Sequence, residues 1–333
     1  MVSTRSKYRR DIEDDMRRIS TLENLISFVE IAMYKPEYGV AMTHLDVALS
    51  VSSAQRDTLQ RYLPACLALT PNLAILELTI TPPFTSFSFA RIPLPYLEVV
   101  KSNLTHRSLA PFVSVRPRLQ ALDIAACGRT RKCPLSTVYV QQVTDIRCPL
   151  ACVAGVVHDG VERLQLDHSR FATLPSTFLS KLPVVLGTVY VLTVDFTPDD
   201  DSILRAIAAH MPHIRDLKLI EYASSLVHKH AARPWHNHAG WSSALQRLTQ
   251  LEQLVIRTSG SLGTVAGDHG AKRDVFCRWV GLAHPHPTLR YIMVWQHARS
   301  VHRGVLSEWS RADGSWKGKW TVTPDADQVS MLS

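Results

Sequence analysis

The chain has 333 residues, of which 46% are hydrophobic and 20% charged, a composition that excludes a disordered protein and allows a large buried core. Its longest apolar run, 182–194, has 13 residues and contains Pro183 and Gly187, so it is too short for a membrane span. The formal charge is +8, but its Lys and Arg residues are spread along the chain and form no known nucleic-acid-binding motif. We therefore expect a soluble protein for which neither membrane nor nucleic acid is the main partner.

Residues 1–19 are predicted to form a charged tail. Basic residues from Arg5 to Arg10 are followed by acidic ones at 11–15, without the apolar stretch of a signal peptide. A cytoplasmic or nuclear location is therefore expected. The cysteines form no CxxC pair, which indicates buried thiols and no disulfide in a reducing compartment. They are Cys66, Cys127, Cys133, Cys148, Cys152 and Cys277.

Between residues 20 and 300 one pattern recurs: an apolar residue, two variable residues, an apolar residue, one variable residue and an apolar residue. The clear copies are Leu73, Leu76, Leu78; Leu119, Leu122, Ile124; Val161, Leu164, Leu166; Val189, Leu192, Val194; Ile214, Leu217, Leu219; Leu251, Leu254, Ile256; and Leu289, Ile292, Val294. Weaker copies are Met42, Leu45, Val47; Leu94, Leu97, Val99; and Leu135, Val138, Val140. The last two apolar residues of each copy face the same side of an extended chain, which predicts a short parallel strand.

Helical apolar spacing precedes several of these strands, as in 59–66 and 204–211. A proline stands two residues before the first apolar residue of four copies, where it ends the helix and favours an extended chain. These prolines are Pro71, Pro117, Pro212 and Pro287. The repeating unit is therefore predicted to be helix, proline and strand.

The intervals between copies run from 16 to 38 residues, and most fall in the range of roughly 20 to 29 that is typical of leucine-rich repeats. The two longest intervals imply insertions around 225–241 and 260–272. We therefore predict an α/β leucine-rich-repeat solenoid, an irregular horseshoe with parallel strands on the concave side and helices on the convex side. A Rossmann-like sheet is the alternative, although its glycine-rich phosphate turns are missing.

Three stretches, 63–80, 109–127 and 203–222, resemble the leucine-rich-repeat part of the F-box-like proteins of mushroom-forming fungi. The resemblance covers about 20–320. In that family an F-box docks a Skp1-type adaptor of a ubiquitin ligase, and the repeats hold the substrate. The resemblance implies the repeat fold and a protein-binding function, whereas the residues before the first repeat lack the Leu-Pro-x-Glu type of motif that opens an F-box, which argues against direct docking to the adaptor.

In such a solenoid the variable residues beside the middle apolar position project from the concave sheet. Read in this way, the sheet begins with polar and acidic side chains and ends with larger apolar and basic ones. Aromatic and Arg side chains are favoured interface anchors, which places the predicted partner site toward the C-terminal end. The predicted partner-binding residues are Asp167, Asp195, Lys218, Arg257, Tyr291, Met293 and Trp295.

Residues 301–333 are predicted to form a C-terminal cap and tail. Trp309, Trp316 and Trp320 indicate a closing hairpin or strand packed over the last repeat. Terminal repeats of a solenoid must be capped. The alternative to a partner site is therefore that this segment covers Tyr291 and Trp295.

The insertion at 225–241 contains two His-x-His pairs. Neutral imidazoles at this density can bind zinc, nickel or copper. Pro234 and Asn237 nevertheless predict a loop that fixes no ligand geometry, so we expect a mobile polar loop, no metal and no other cofactor. The four candidates are His228, His230, His236 and His238.

No GxSxG, HExxH or GxGxxG motif is present, so no enzymatic activity is expected. The predicted function is that of a non-catalytic protein-interaction scaffold, related to the substrate-recognition subunits of F-box ubiquitin ligases by the resemblance above. A basic repeat protein that binds nucleic acid is the alternative, on charge alone. The sequence leaves the partner's identity and the oligomeric state open.

Overall fold

The computed structural model of the chain describes residues 16–83, 92–125, 127, 133–138, 142–167, 173–182, 186–222, 232–260, 262, 269–281, 285–297, 304–312 and 315–323. These residues form an α/β protein with two compact units, Met1–Gly160 and Val161–Ser333. Within each unit, consecutive strands pair with one another in chain order. No helix in the described ranges is long and apolar enough to cross a membrane.

The described part of the first unit has six strands, and each pairs in parallel with the next. They are β1 (Met16–Ile19), β2 (His44–Ser50), β3 (Ile75–Thr81), β4 (Val99–Ser102), β5 (Ala121–Ile124) and β6 (Asp145–Pro149). Strand β1 occupies the end of the segment that the sequence assigned to a charged tail. Its residue Ile19 is fully buried, which explains why this short stretch joins the sheet.

The described helices of the first unit are α1 (Leu22–Tyr34), α2 (Pro36–Val40), α3 (Arg56–Ala68), α4 (His106–Val113) and α5 (Val153–Val156), with short 3-10 helices at Ser53–Gln55, Pro134–Thr137 and Leu150–Cys152. Helix α1 begins after Thr21, whose hydroxyl oxygen accepts a hydrogen bond from the Asn24 N–H at 3.1 Å. Its buried side chains Leu25, Phe28 and Val29 share one side of the helix, and α1 packs against α3. An amphipathic helix layer therefore covers the sheet.

The described part of the second unit contains five parallel strands followed by an antiparallel hairpin. The parallel strands are β7 (Arg163–Asp167), β8 (Val191–Phe196), β9 (Asp216–Glu221), β10 (Gln253–Thr258) and β11 (Tyr291–His297). The hairpin consists of β12 (Gly304–Ala312) and β13 (Ser315–Thr323), and β12 pairs with β11. A closing hairpin was predicted from the tryptophan-rich segment, and the structure has one.

The helices in the described residues of the second unit are α6 (Pro175–Leu179), α7 (Ile203–His210), α8 (His238–Gln246) and α9 (His269–Val280), with a 3-10 helix at Pro234–His236. They join the sheet through a cluster of aromatic rings. The Trp235 ring lies 5.9 Å from Phe196 on β8, and the Phe276 ring lies 5.2 Å from Trp309 on β12. Trp241 and Trp279 connect these contacts at 5.7 Å. Most of the tryptophan bias in this part of the chain is therefore core packing.

The strand register confirms the repeating pattern. In each parallel strand, one apolar residue lies directly opposite its counterpart on the neighbouring strand, and all of these residues are at most 3% exposed. In the clear copies it is the middle apolar residue of the pattern. Burying a side chain of this size contributes roughly 1.5 to 3 kcal/mol, so each aligned row is a continuous part of the core. The aligned rows are Leu45, Leu76, Val100, Leu122 and Ile146 in the first unit, and Leu164, Leu192, Leu217, Leu254 and Ile292 in the second.

Two of the weaker copies were wrong. The copy ending at Val99 is displaced by three residues, because Val100 and not Leu97 pairs with Leu76. In the copy starting at Leu135, residues Pro134–Thr137 form a 3-10 helix, and Val140 lies outside the described residues. The strand of that repeat is β6, whose pattern continues from Val143 through Ile146 to Cys148.

The prolines between helix and strand behave as predicted. Pro71, Pro117 and Pro212 lie in turns between the end of a helix and the start of the next strand, and Pro287 lies in a bend at the equivalent position. A proline lacks the N–H that a continued helix needs. The unit of helix, proline and strand is therefore present in both parts of the chain.

Candidate functional site

The strands of the second unit bury alternate side chains against the helices and half-expose the others on the opposite side, a surface that we call the open face. Its middle row consists of Gln165, Thr193, Lys218, Val255, Met293, Glu308 and Lys319. The next row consists of Asp195, Ile220, Arg257, Trp295 and Leu306. The register therefore confirms the rows that the repeats predicted within this unit.

Two cations are neighbours at the centre of the open face. Lys218 lies opposite Val255, and Arg257 stands two residues further along the same strand as Val255. Burial lowers the pKa of Lys218, and the charge of Arg257 lowers it further. Among the described residues, neither cation forms a salt bridge. A negative group placed here would therefore gain both interactions.

The Trp295 side chain packs against Arg257 and exposes almost none of its own surface to a partner. Its side chain is 1% exposed, and it lies across from Leu306 on β12. The Arg257 guanidinium carbon sits 4.7 Å from the centre of the Trp295 ring, within the range of a cation–π contact. Trp295 therefore positions Arg257, and a partner would contact the guanidinium group.

Tyr291 is engaged by the closing hairpin. Its hydroxyl donates a hydrogen bond to Glu308 Oε1 at 2.7 Å, and Lys319 Nζ lies 3.3 Å from Glu308 Oε2. Burial, and then the Glu308 carboxylate, raise the pKa of Tyr291. The predicted alternative, in which the C-terminal segment engages Tyr291, is thus what the contacts favour for this residue. Met293 stays half-exposed between Val255 and Glu308.

The two predicted acidic residues lie toward the other end of the open face. Asp195 is on β8, two strands away from Arg257, which corresponds to about 10 Å at the usual strand spacing. Asp167 is the last residue of β7, and its carboxylate accepts a hydrogen bond from Gln165 Nε2 at 3.2 Å. Asp195 stands two residues beyond Thr193, which lies opposite Lys218, so in register it is as near to Lys218 as Arg257 is. The structure therefore brings Lys218, Arg257 and Met293 together, with Asp195 on the other side of Lys218 and Asp167 one strand further away.

The corresponding face of the first unit is charged but internally neutralised. Its middle row consists of Arg18, Asp46, Glu77, Lys101, Asp123 and Arg147, one residue from each strand. Arg18 pairs with Asp46 at 3.4 Å. Lys101 pairs with Glu77 at 3.0 Å, and Arg147 with Asp123 at 3.6 Å. We call this row the charge ladder.

The second half of the histidine-rich insertion is ordered and packed, which corrects the prediction of a mobile loop for its described part. Pro234–His236 forms a 3-10 helix, and His238 begins α8. Trp235 and Trp241 are buried on either side of these turns. His236 Nδ1 accepts a hydrogen bond from the Arg233 N–H at 3.2 Å. His228 and His230 lie outside the described residues, so the proposed four-nitrogen arrangement is untested.

A buried ion pair holds this segment at the end of β9. Arg233 Nη2 lies 2.8 Å from Glu221 Oε1, and the two side chains are 3% and 2% exposed. Ser259 Oγ donates to the same carboxylate at 2.7 Å, and the Thr258 hydroxyl donates as well. Burial alone would raise the pKa of Glu221, but the bonds from Arg233, Thr258 and Ser259 hold that pKa below its ordinary value. The pair is structural, since it is closed to solvent.

One group of metal-ligating side chains, which the sequence did not predict, lies in the first unit. His106, Cys127, Cys133 and Cys152 place one ligand atom each within 4.8 Å of one another. The sequence indicated only buried thiols, because the four residues are far apart in the chain and show no short metal-binding spacing. The cysteines come together only because successive repeats stack.

Comparison with known proteins adds no family to this description. A scan against protein-family models finds no match to the chain, and a search of curated proteins finds none either.

Proposed function

We propose that the chain is a non-catalytic protein-binding scaffold made of leucine-rich repeats, and that the open face of its second unit receives an acidic, partly apolar segment of a protein partner. The observation that carries the proposal is the adjacency of Lys218 and Arg257 without a salt bridge to any described residue. Two like charges side by side disfavour each other. A carboxylate from a partner would relieve this repulsion.

The surroundings of the two cations define the rest of the partner segment. Ile220, Val255 and Met293 are half-exposed apolar neighbours on the same face. Parallel sheets are usually covered on both faces, and here the described helices cover one. A segment with a carboxylate flanked by apolar side chains would cover these residues and pair with the cations, as complementary interfaces do.

Leucine-rich repeats are supported by the aligned apolar rows and by the recurring unit of helix, proline and strand. The resemblance to F-box-like proteins extends the proposal to substrate recognition within a ubiquitin ligase. Affinity capture of the full chain followed by mass spectrometry tests this extension. Skp1-type adaptor and cullin peptides would support it, and their absence would leave a scaffold outside the ligase.

Nucleic acid is the competing occupant, since the same cations could bind phosphate. Proteins that bind nucleic acid through the backbone typically neutralise about six to ten phosphates. At the centre of the open face, two cations of the described residues, Lys218 and Arg257, stand side by side. Apolar neighbours beside them also suit a peptide better than a phosphate chain. We therefore favour the protein partner.

The test compares partner capture by two charge-matched double variants of the full chain. Lys218→Gln with Arg257→Gln should reduce capture at least about tenfold, equivalent to about 1.4 kcal/mol. Lys101→Gln with Arg147→Gln removes two cations from the charge ladder and should leave capture unchanged. Both variants keep Trp295, whose burial would make its truncation a test of folding instead.

Two outcomes would contradict the proposal. Equal capture by the parent and by the Lys218 and Arg257 variant would show that the open face is not the site. Loss of capture after nuclease treatment, or a steep loss with added salt, would assign the face to nucleic acid. Capture that survives both treatments and depends on the two cations supports a protein partner.

A further inference from the structure

A histidine and three cysteines converge inside the first unit, each from a different local segment. His106 is the first residue of α4, and Cys127 follows β5. Cys133 immediately precedes the 3-10 helix Pro134–Thr137, and Cys152 ends the 3-10 helix Leu150–Cys152. His106, Cys133 and Cys152 are buried, whereas Cys127 is half-exposed. The group therefore has three buried members and one member open to solvent.

The hydrogen bonds of His106 direct one ring nitrogen toward the sulfurs. Nε2 lies 2.7 Å from the carbonyl oxygen of Ala125, which can only accept, so Nε2 carries a proton. Nδ1 lies 3.2 Å from Cys133 Sγ and 3.7 Å from Cys152 Sγ. A histidine that binds a metal through one nitrogen commonly donates the other N–H to a backbone carbonyl. The ring is thus oriented as a metal ligand would be.

The distances fit a tetrahedral ion. Zinc binds sulfur at about 2.3 Å and nitrogen at about 2.0 Å, which in a tetrahedron places N and S about 3.5 Å apart and two S atoms about 3.8 Å apart. The four ligand atoms lie within 4.8 Å of one another, and the two measured N–S distances lie on either side of the ideal edge. Only small side-chain movements would complete the coordination.

We propose that His106, Cys127, Cys133 and Cys152 form a structural zinc site of the Cys₃His type. Four protein ligands leave no open coordination position, which is typical of structural zinc sites and not of catalytic ones. The donor set of soft thiolates with one imidazole selects zinc over magnesium or calcium. The ion would tie the start of α4 to the segments on either side of Pro134–Thr137.

The packing around the site brings Cys133 and Cys152 close together. Helix α5 begins directly after Cys152 and contains Gly155. A Cβ atom at Gly155 would come within 2.9 Å of Ser136 Cβ and 3.5 Å of Cys133 Cβ. The absence of a side chain therefore lets α5 approach the 3-10 helix that follows Cys133. This approach is independent of the hydrogen bonds between the ligands.

A catalytic cysteine–histidine pair is the first alternative. Its nucleophile would have to reach a substrate, but Cys133 is 8% exposed and His106 is fully buried. A disulfide between Cys133 and Cys152 is the second alternative. It would use two sulfurs and would explain neither the position of Cys127 nor the orientation of His106. A zinc ion accounts for all four side chains.

The first experiment uses the unmodified full chain, purified under reduction and freed of any affinity tag. Metal analysis after dialysis should give one zinc per chain, and replacement by cobalt should give the visible absorption of a tetrahedral thiolate site. Absence of both metals after reconstitution would overturn the proposal. So would a disulfide between Cys133 and Cys152 found by peptide mapping of the reduced and reconstituted protein.

Thiol alkylation with mapping provides a matched internal control. Cys127 and Cys277 are both half-exposed, but only Cys127 belongs to the group. Cys127 should resist alkylation in the zinc-bound chain and react once a chelator removes the metal, whereas Cys277 should react equally in both states. Equal reactivity of Cys127 with and without zinc would contradict the assignment.

Variants locate the ion. Cys127→Ser changes the half-exposed ligand and should lose zinc to a chelator that the parent resists. Cys277→Ser should match the parent. A variant in which His228, His230, His236 and His238 are all replaced by Asn should also keep its zinc. If this variant loses zinc while Cys127→Ser keeps it, the zinc site lies in the histidine-rich insertion and the proposal is wrong. If Cys127→Ser does not fold, the cobalt spectrum and the alkylation pattern of the parent still decide.

Discussion

On the first unit, the charge ladder pairs every cation with a carboxylate on the neighbouring strand: Arg18 with Asp46, Lys101 with Glu77, and Arg147 with Asp123. On the second unit, the middle row of the parallel strands is mostly uncharged, and its one cation, Lys218, lies opposite the uncharged residues Thr193 and Val255, with Arg257 as a neighbour of the same charge. Both faces are built from the same repeating unit. They differ in how charge is distributed on it.

Under the proposed function, this difference in charge would separate an inert face from a binding face on one kind of repeat. Exposed salt bridges contribute only about 0 to 1 kcal/mol each to stability, so the ladder adds little to the fold. Its main physical effect is to satisfy the charges within the protein. The second unit leaves two cations and several apolar side chains for a partner to cover, which is the arrangement expected of an interface.

The largest effect on the free energy of unfolding is expected for the buried ion pair between Arg233 and Glu221 in the second unit. Arg233→Met leaves the Glu221 carboxylate, which is 2% exposed, without its cation. Breaking a buried pair by removing one member costs roughly 3 to 5 kcal/mol. Chemical denaturation monitored by tryptophan fluorescence should show a loss of this size, because the aromatic cluster around Trp235 lies in the same segment.

The matched control is Arg147→Met in the charge ladder, where the cation is 44% exposed. Its cost should stay below about 1 kcal/mol. A large loss for Arg147→Met, or a negligible one for Arg233→Met, would contradict the distinction between a solvent-exposed ladder and a buried structural pair.

The sequence was sufficient for the repeating core. Apolar residues at fixed spacing, as in Leu217 and Leu219, determine which side chains face the helices, and proline fixes where each helix ends. The sequence did not predict strands β1 and β6, in which the buried positions do not follow the recurring apolar pattern clearly. Strand β6 places Cys148 at the buried position after Ile146, and β1 buries Ile19 at the end of a charged segment.

The sites were harder to predict than the core for a physical reason. The sequence places Arg257 and Trp295 on the same face, but it does not reveal that the guanidinium lies over the ring and that the ring is buried. His106 and Cys152 meet only after three repeats stack, so no local spacing indicates them. Periodicity predicts which face a residue occupies, whereas contacts between faces and loops depend on packing.

The second prediction introduces into the second unit one acid–cation pair of the kind found in the charge ladder. Thr193 lies directly opposite Lys218, as Glu77 lies opposite Lys101. Thr193→Glu should therefore pair with Lys218 and compete with an acidic partner, reducing partner capture at least about tenfold, or about 1.4 kcal/mol. The free energy of unfolding should change by less than about 1 kcal/mol.

Thr193→Gln is the control, since it adds nearly the same volume without the charge. Its partner capture should resemble that of the parent. If both variants lose capture equally, side-chain size and not charge governs the face. If Thr193→Glu captures the partner as well as the parent does, the partner does not present an acidic group to Lys218.

The smallest expected effect is the loss of stability that protonation of the Glu77 carboxylate of the charge ladder causes at low pH. The neighbouring His44 imidazole, whose Nε2 lies 3.6 Å from Glu77 Oε1, and then Lys101 lower the pKa of Glu77 from 4.5 to about 2. Because the folded state holds this proton less tightly than the unfolded state, the stabilisation is present above pH 4.5 and is lost as the pH falls toward about 2. The carboxylate is 30% exposed, so solvent screening keeps the effect below about 1 kcal/mol.

Denaturation of the parent and of Glu77→Gln between pH 2 and pH 6 measures this contribution, since those limits enclose the fall of the pKa from 4.5 to about 2. The difference in unfolding free energy should be largest near pH 6 and should vanish toward pH 2. The other carboxylates of the ladder, Asp46 and Asp123, are common to both chains, so the difference isolates Glu77. A difference that grows as the pH falls would mean that Glu77 is protonated more readily in the folded chain, and the ladder would then not neutralise its own face.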